Sequence, residues 1–509
     1  MSLLRAEPGP VVNDFLDVVR HRADVTPDAA GVTQLLSGGS RTVTWPELLA
    51  AIDHTSARVR GRFPVHQPVI VALDGTIDAL VVLIALLGCG VDVLCVEDGS
   101  SHLDDARSAI WTAEPSAVIT SGKGTAAGPV PSLAYGLIAD AGPAPAATQP
   151  DESRDPRVLL LTSGSTGEPR VAVHTLGTLL GSAELYRRCH GYGPDDRVLL
   201  PLPMAHSFGL VGGVLTALIS GAELVTVPRF SLSSVRAALT GGATIMLGSP
   251  LIYSLAAEAI PEAVTGSRLR VMLCSGAPLA PATASKMAHL SGRPVRQVYG
   301  STEAGLIACP AEDRLAGPAG VGTFAPGVEW RLADEERLGD AVAGRLMIRS
   351  ATTFRGYLDG RASALRSDGF FDTGDVVRVS DTGQVSVEGR KDTFVNVDGR
   401  KVNPARVERI VLQHPQVADA HVLGLPRGQQ EVVCAVVVPA AGAARPDLRE
   451  EIVRFCRGRL AAHETPHEVI ELPVLPRTDM GKIDRTALLS AVDGRLSGSR
   501  REEAGSADE

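Results

Sequence analysis

Aromatic residues make up only 4% of this 509-residue chain, so apolar burial has to rest on Val, Leu, Ile and Ala. Cysteine is sparse as well. Seven residues, Cys89, Cys95, Cys189, Cys274, Cys309, Cys434 and Cys456, are scattered with no Cys-x-x-Cys and no metal-ligand spacing. That argues against a disulfide framework or a structural zinc site and reads as reduced, mostly buried thiols in a cytoplasmic protein. Positive charge is not in surplus. The net charge of −9 argues against general binding to nucleic acid or an anionic membrane. The most apolar stretch, Ala79 to Val91, is bounded by Asp78 and Asp92 and is too short to span a bilayer. Met1 to Pro10 has no basic region leading into an apolar one, so no signal peptide is expected. What remains is ordinary for a globular protein, 44% hydrophobic and 21% charged, and the length implies two or more domains.

Along the chain, apolar runs alternate with helical periodicity. Val11 to Arg22 reads as a helix, Thr42 to Trp45 as a strand, and Pro46 as the start of a helix to Arg60. Val69 to Leu73, the apolar helix Ala79 to Leu87 and Val91 to Val96 give a strand–helix–strand rhythm, the mark of a parallel α/β sheet. Gly122 to Pro156 is rich in Gly, Ala and Pro and reads as loop or linker. The rhythm resumes with Val198 to Leu202, Gly209 to Ile219, Glu223 to Val227, Thr244 to Leu247 and Arg270 to Cys274. After a late strand, Val385 to Glu388, a separate small unit follows: helix Pro404 to Leu412, strands Ala420 to Leu425 and Val432 to Val438, helix Asp447 to Leu460. The polar tail from Ser497 reads as disordered.

Chemistry concentrates in a few stretches. Leu159-Leu160-Leu161 ends a buried strand and leads into Thr162-Ser163-Gly164-Ser165-Thr166-Gly167-Glu168-Pro169-Arg170. Such a loop presents backbone N–H groups and hydroxyls together, which suits a polyphosphate, while an arbitrary Ser/Gly run is more often a surface turn. It lacks the Gly-x4-Gly-Lys of a Walker loop. Gln297-Val298-Tyr299-Gly300-Ser301-Thr302-Glu303 delivers an aromatic, hydroxyls and a carboxylate within a few residues. Tyr299 can stack on a base, Thr302 can hydrogen-bond a phosphate and Glu303 can hold Mg²⁺ through oxygen. The plainer alternative is a strand–turn–helix connection with Glu at a helix start. His206, in Pro201-Leu202-Pro203-Met204-Ala205-His206-Ser207-Phe208-Gly209, sits among apolar residues where a lone histidine is more often packing.

These stretches together resemble the AMP-forming adenylate-forming enzymes, the superfamily of acyl-CoA synthetases, adenylation domains and luciferases. The first loop resembles that family's phosphate loop, and Tyr-Gly-x-Thr-Glu is matched without a substitution. The resemblance implies an α/β fold with a large multi-subdomain N-terminal domain (1–390), a small mobile C-terminal α+β domain (391–490) and a tail (491–509). It implies that His206 gates the acyl pocket, lined also by Ser207, Gly209, Gly276 and Tyr299. Ser275, Gly276, Ala277 and Pro278 would border the adenine and the acyl pocket. Thr162 to Gly167, Arg170, Gln297, Val298, Tyr299, Gly300 and Ser301 would line the nucleotide, and Thr166 and Glu303 the metal. Asp375, in Asp372-Thr373-Gly374-Asp375, would take the ribose hydroxyls, with Arg390 as a second ribose or phosphate contact. Asp392 would be the hinge, and Gly399 would line the thiol channel. Lys482, in Gly481-Lys482, would neutralise charge between carboxylate and α-phosphate. The family has Lys-Gly where this chain has Arg170-Val171, and Glu where it has Arg345 and Arg406.

The implied reaction joins a small carboxylic acid to ATP as acyl-AMP, with Mg²⁺, and passes the acyl group to a thiol, CoA first among the candidates. A free-standing enzyme loading a carrier protein or a free amine is the alternative. A dead relative acting as a binding module is disfavoured by the presence of Glu303, Asp375, Arg390 and Lys482. No phosphopantetheine-bearing segment follows Lys482, so a carrier would be a separate protein. The small residues Ala205, Gly209, Gly213 and Gly276 would leave room for a bulky or aromatic acid.

Overall fold

The computed structural model describes residues 11–64, 66–122, 130–140, 154–162, 169–310, 320–360, 365–397, 400–427, 430–440, 447–477 and 483–505. The chain divides into two compact units. The first comprises residues 1–330 and 348–371, the second residues 331–347 and 372–509.

The first unit carries two seven-stranded sheets. In one, the order is Val295–Gln297, Val271–Cys274, Ile245–Gly248, Arg197–Leu200, Glu223–Thr226, Ala30–Leu36, Gly39–Thr44, parallel throughout except for the last pair. In the other, Arg157–Thr162, Val93–Glu97, Val69–Leu73, Ala117–Thr120 and Ser132–Ala134 run parallel. Arg170–Thr175 and Gly356–Tyr357 extend it antiparallel. The parallel strands are buried on both faces, which is why Val69–Leu73 reads as an unbroken apolar run. The helix Ile77–Gly88 is buried from Ile77 and Ala79 through Leu87, so the most apolar stretch of the chain is core. Among the described residues no helix is long and apolar enough to cross a membrane. The helix Trp45–Val59 starts one residue before its proline. Thr44 caps it, with the Glu47 carboxylate answering the Thr44 N–H, and Trp45 is fully buried.

Part of the segment read as linker is ordered: Ser132–Ala134 pairs with Ala117–Thr120, and the helix Tyr135–Asp140 follows. Three residues of strand within Gly- and Pro-rich sequence carry too little pattern to be seen. Phe208–Leu215 forms a π-helix rather than an α-helix. Hydroxyls add to its backbone bonds: Tyr192 donates to Gly212 O at 3.1 Å, and Thr216 Oγ1 joins its own N–H on Val211 O at 2.6 Å.

The second unit holds a four-stranded sheet, in the order Glu329–Leu338, Ala341–Arg349, Phe371–Ser380, Val385–Arg390. Most side chains of its first strand are exposed or half-buried, so no apolar alternation announces it. A second sheet follows, Val417–Arg427 antiparallel to Gln430–Pro439, which is parallel to Glu468–Glu471. Alternate residues of its central strand feed two cores. Val433, Ala435 and Val437 pack with Val407, Val411, Ile452 and Cys456 from the helices Pro404–Val411 and Leu448–Arg457. Cys434 and Val436 pack with Leu488 and Val492 from the helix Arg485–Gly505. That helix runs through residues expected to be a disordered tail. Its Arg, Glu and Ala are good helix formers despite the polar composition. None of the seven cysteines is in a disulfide; six are buried and Cys189 is half-buried.

Candidate active site

In the first unit Thr162, Ser275 to Pro278 and Gln297-Val298 lie at or just past the carboxyl ends of parallel strands, the usual position for a ligand in such sheets. Thr162 ends Arg157–Thr162 and pairs across a hairpin with Arg170. Ser163, Gly164, Ser165, Thr166 and Gly167 lie outside the described residues. Arg170 itself is held by two side chains. Its guanidinium forks onto Asp359 at 3.0 and 3.3 Å and lies over the Tyr357 ring, 3.5 Å from the centroid.

The Tyr299–Glu303 motif is not a strand–turn–helix connection. Tyr299–Ser301 turns through Thr302, Glu303 and Ala304 into the antiparallel strand Gly305–Cys309. Gly305 has φ +68°, and a Cβ on Gly300 would collide with the Gly305 carbonyl, so both glycines are required by the turn. Each turn carbonyl is bonded. His174 Nε2 donates to Thr302 O at 2.7 Å, Phe354 N–H to Glu303 O at 2.7 Å and the Thr352 hydroxyl to Ala304 O at 2.9 Å. His174 is buried. Burial pushes its pKa down to about 4, against the Thr302 hydrogen bond and the nearby Glu303 charge, so the imidazole is neutral with its proton on Nε2. The turn presents Glu303, whose Oε1 accepts from the Tyr357 hydroxyl at 2.7 Å, and Thr302, whose hydroxyl is 3.3 Å from that of Ser207.

Ser275 to Pro278 and Gln297-Val298 are laced together. The Ser275 hydroxyl donates to Val298 O at 3.2 Å, Val298 N–H to Cys274 O at 2.9 Å and Leu279 N–H to Gln297 Oε1 at 2.7 Å. Gln297 thus uses its carbonyl oxygen to shape this loop. Gly276, at φ +94°, has open space where a Cβ would be.

His206 follows the strand Arg197–Leu200, in the loop that opens the π-helix. Its Nε2 is 3.6 Å from Glu97 Oε2, at the end of Val93–Glu97, and both side chains are half-buried. The glycines expected to enlarge the pocket do other work. A Cβ on Gly209 would strike the Pro203 carbonyl, and one on Gly213 would lie 2.8 Å from Leu200 Cδ1. Close packing fills the space at both positions. Ala205 is buried, and only Gly276 of the four is open.

In the second unit, Asp375 on Phe371–Ser380 lies across from Arg390 on Val385–Arg390, with Arg390 Nε 3.8 Å from Asp375 Oδ1. Arg390 also donates to Thr373 O at 3.3 Å, and the Thr373 hydroxyl receives the Asp375 N–H at 3.1 Å. Gly374 has φ +73°, and a Cβ there would come within 2.9 Å of the Arg390 guanidinium. The backbone of Asp392 sits in the short 3₁₀ turn Lys391–Thr393. Glu388, just before it, receives the Asn403 side chain on its carbonyl at 2.8 Å and Arg409 on its carboxylate at 2.7 Å. Gly399 and Lys482 lie outside the described residues. The base of the Lys482 loop is pinned: Arg477 bridges to Ile483 and Asp484 N–H donates to Pro476 O at 2.9 Å. The two unusual arginines are paired locally, Arg345 with Asp372 and Arg406 with Glu464 at 3.3 Å.

Residues 19–358 match the AMP-binding enzyme family, and residues 406–482 match the AMP-binding enzyme C-terminal domain. The chain belongs to the AMP-binding enzymes. Among curated relatives, the indoleacetate–CoA ligase of Aromatoleum aromaticum is 32% identical over 340 residues, 64% of this chain and 66% of that protein. The medium-chain fatty-acid–CoA ligase of Escherichia coli is 30% identical over 348 residues, 66% of this chain and 61% of that one. The chain thus spans a little under two thirds of these two relatives. Among solved structures, ATP-bound MatB from Rhodopseudomonas palustris superposes with a TM-score of 0.81 at 25% identity, covering 94% of this chain and 98% of that one.

For this AMP-binding enzyme, the motifs gave the residues but not their partners. Glu97, His174 and Tyr357 reach His206, Thr302 and Glu303 across 109, 128 and 54 positions of sequence. No local spacing could show them.

Proposed function

We propose that this chain is an ATP-dependent, AMP-forming acid–CoA ligase. The observation that carries the reading is the Thr302–Ala304 turn: three bonded carbonyls fix it, and it presents a hydroxyl and a carboxylate at strand ends beside the phosphate-loop hairpin. The relatives named above as CoA ligases favour CoA as the acceptor over a carrier or an amine.

In this reading an oxygen of the acid attacks the α-phosphorus of ATP, a P–O bond forms, and pyrophosphate leaves. The CoA thiolate then attacks the acyl carbon and AMP departs with that oxygen. Thr302 and the hydroxyls of the phosphate loop bind phosphate oxygens, Tyr299 stacks on the base, and Asp375 with Arg390 takes the ribose. A carboxylate suits that task because it accepts from both hydroxyls. Lys482 sets a positive charge between carboxylate and α-phosphate, where negative charge builds in the transition state. His206, held toward Glu97, gates the acid.

The residues fit Mg²⁺. Glu303 offers one hard carboxylate oxygen, and among the described residues no group of three or more His, Cys, Asp or Glu forms a protein cage. Magnesium characteristically takes one or two carboxylates and completes its shell with substrate phosphates and water. When bound it neutralises phosphate charge. The small domain is taken to begin at residue 391 and to rotate about Asp392 between the two half-reactions.

Acid-dependent exchange of labelled pyrophosphate into ATP, run over a panel of aliphatic and aromatic acids, tests the reading. Exchange with at least one acid and a CoA thioester by mass spectrometry are expected. Exchange that yields amides with amines and no thioester with CoA would overturn the acceptor.

A further inference from the structure

We propose that Tyr357 is a positioning residue that fixes the Glu303 carboxylate, and that Arg170 and Asp359 act on Glu303 through it. This rests on Glu303 being the metal ligand. The contacts form one line: Asp359 holds the Arg170 guanidinium at 3.0 and 3.3 Å, Arg170 lies on the Tyr357 ring 3.5 Å from its centroid, and the Tyr357 hydroxyl donates to Glu303 Oε1 at 2.7 Å. A cation over a phenol ring draws electron density from it and makes the O–H a stronger donor. A carboxylate acceptor strengthens the bond further. With Oε1 taken, Glu303 is turned so that Oε2 is left to face a cation, as a monodentate ligand. Arg170 closes the hairpin opposite Thr162, so the same line ties the base of the phosphate loop to the carboxylate.

Tyr357 itself is well seated. Phe354 packs edge-on against its ring at 4.9 Å, and its strand pairs with Arg170–Thr175. Tyr357→Phe therefore keeps the ring, its packing and the arginine stack, and removes only the hydroxyl.

The test is Mn²⁺ binding in the presence of ATP, read by electron paramagnetic resonance, with the Mg²⁺ dependence of pyrophosphate exchange beside it. Tyr357→Phe is expected to weaken Mn²⁺ binding about tenfold, the size of one hydrogen bond to a charged group. The Mg²⁺ needed for half-maximal exchange rises by the same factor, while turnover at saturating Mg²⁺ recovers. Asp359→Asn, which loosens the guanidinium without touching the ring, moves both quantities the same way by about two- to threefold. It also reads the chain of contacts if Tyr357→Phe is unstable. Glu303→Gln separates the two claims. If Glu303→Gln weakens Mn²⁺ binding and Tyr357→Phe and Asp359→Asn do not, the positioning role is overturned and the metal site stands. If Glu303→Gln also leaves Mn²⁺ binding at the parental value, the metal role of Glu303 falls, and the positioning role with it.

Discussion

The Thr302–Ala304 turn in the first unit and the Asp375–Arg390 pair in the second are built in opposite ways. The turn has every carbonyl bonded and its carboxylate held by a phenol, over a buried neutral histidine. The pair is a cross-strand contact at 3.8 Å, with Arg390 half-exposed. At that distance, with the arginine in solvent and only Asp375 largely buried, the ion pair contributes little to stability. The comparison teaches that the turn is set by bonds within its own unit, while the Asp375–Arg390 contact is longer and leaves its arginine facing solvent. Preorganisation of that kind belongs where charge is stabilised during reaction.

Changes in the second unit should therefore alter chemistry without altering the fold. The largest effect is expected for Lys482→Ala. Pyrophosphate exchange should fall by about a hundredfold to a thousandfold or more, as when a transition-state charge contact is removed. Thioester formation from supplied acyl-AMP should persist and the melting temperature should not change. Equal loss of both half-reactions would remove Lys482 from the adenylating role.

Asp375→Asn comes next. Replacing a charged acceptor of two hydroxyls should raise the KM for ATP about tenfold, with stability unchanged within about 0.5 kcal/mol. A large loss of stability would mean that the pair holds the sheet together and that the contrast with the turn is false.

The smallest effect on turnover is expected at His174, where the turn's own structure is tested. His174→Gln keeps a donor for Thr302 O, whereas His174→Leu leaves that carbonyl unpaired and should cost about 1–3 kcal/mol. The pH dependence has a definite sign. His174 titrates near 4 when folded, against 6.5 ordinarily, because burial disfavours its charged form. The unfolded chain binds the proton first, so the contribution is full above pH 6.5 and is lost as the pH falls to about 4. In His174→Gln the acid loss over that window should shrink, by on the order of 3 kcal/mol, measured by urea unfolding at each pH. His190, lowered to about 3 by burial and by Arg296, keeps its own share in both proteins.

The parts of the candidate site that could be picked out in the sequence, Tyr299 to Glu303 and Asp372 to Asp375, are linear motifs whose residues stay adjacent in the fold. The parallel sheets were legible as apolar runs such as Val69–Leu73. Three things were not. Long-range partners such as Tyr357 on Glu303 leave no periodic trace. The glycines of the π-helix read as open pocket, although Gly209 and Gly213 are small because backbone and Leu200 occupy the space. The helix Arg485–Gly505 is polar enough to pass for a tail, yet Leu488 and Val492 anchor it to a sheet.

The central claim is that the acid passes through an acyl adenylate before it reaches CoA. An acid labelled with ¹⁸O in its carboxylate, turned over with ATP and CoA, tests this directly. The oxygen that attacks phosphorus stays with the nucleotide when the thiolate breaks the acyl C–O bond. The account predicts AMP carrying one ¹⁸O for each thioester formed, with unlabelled pyrophosphate. Unlabelled AMP beside labelled phosphate or pyrophosphate would contradict it.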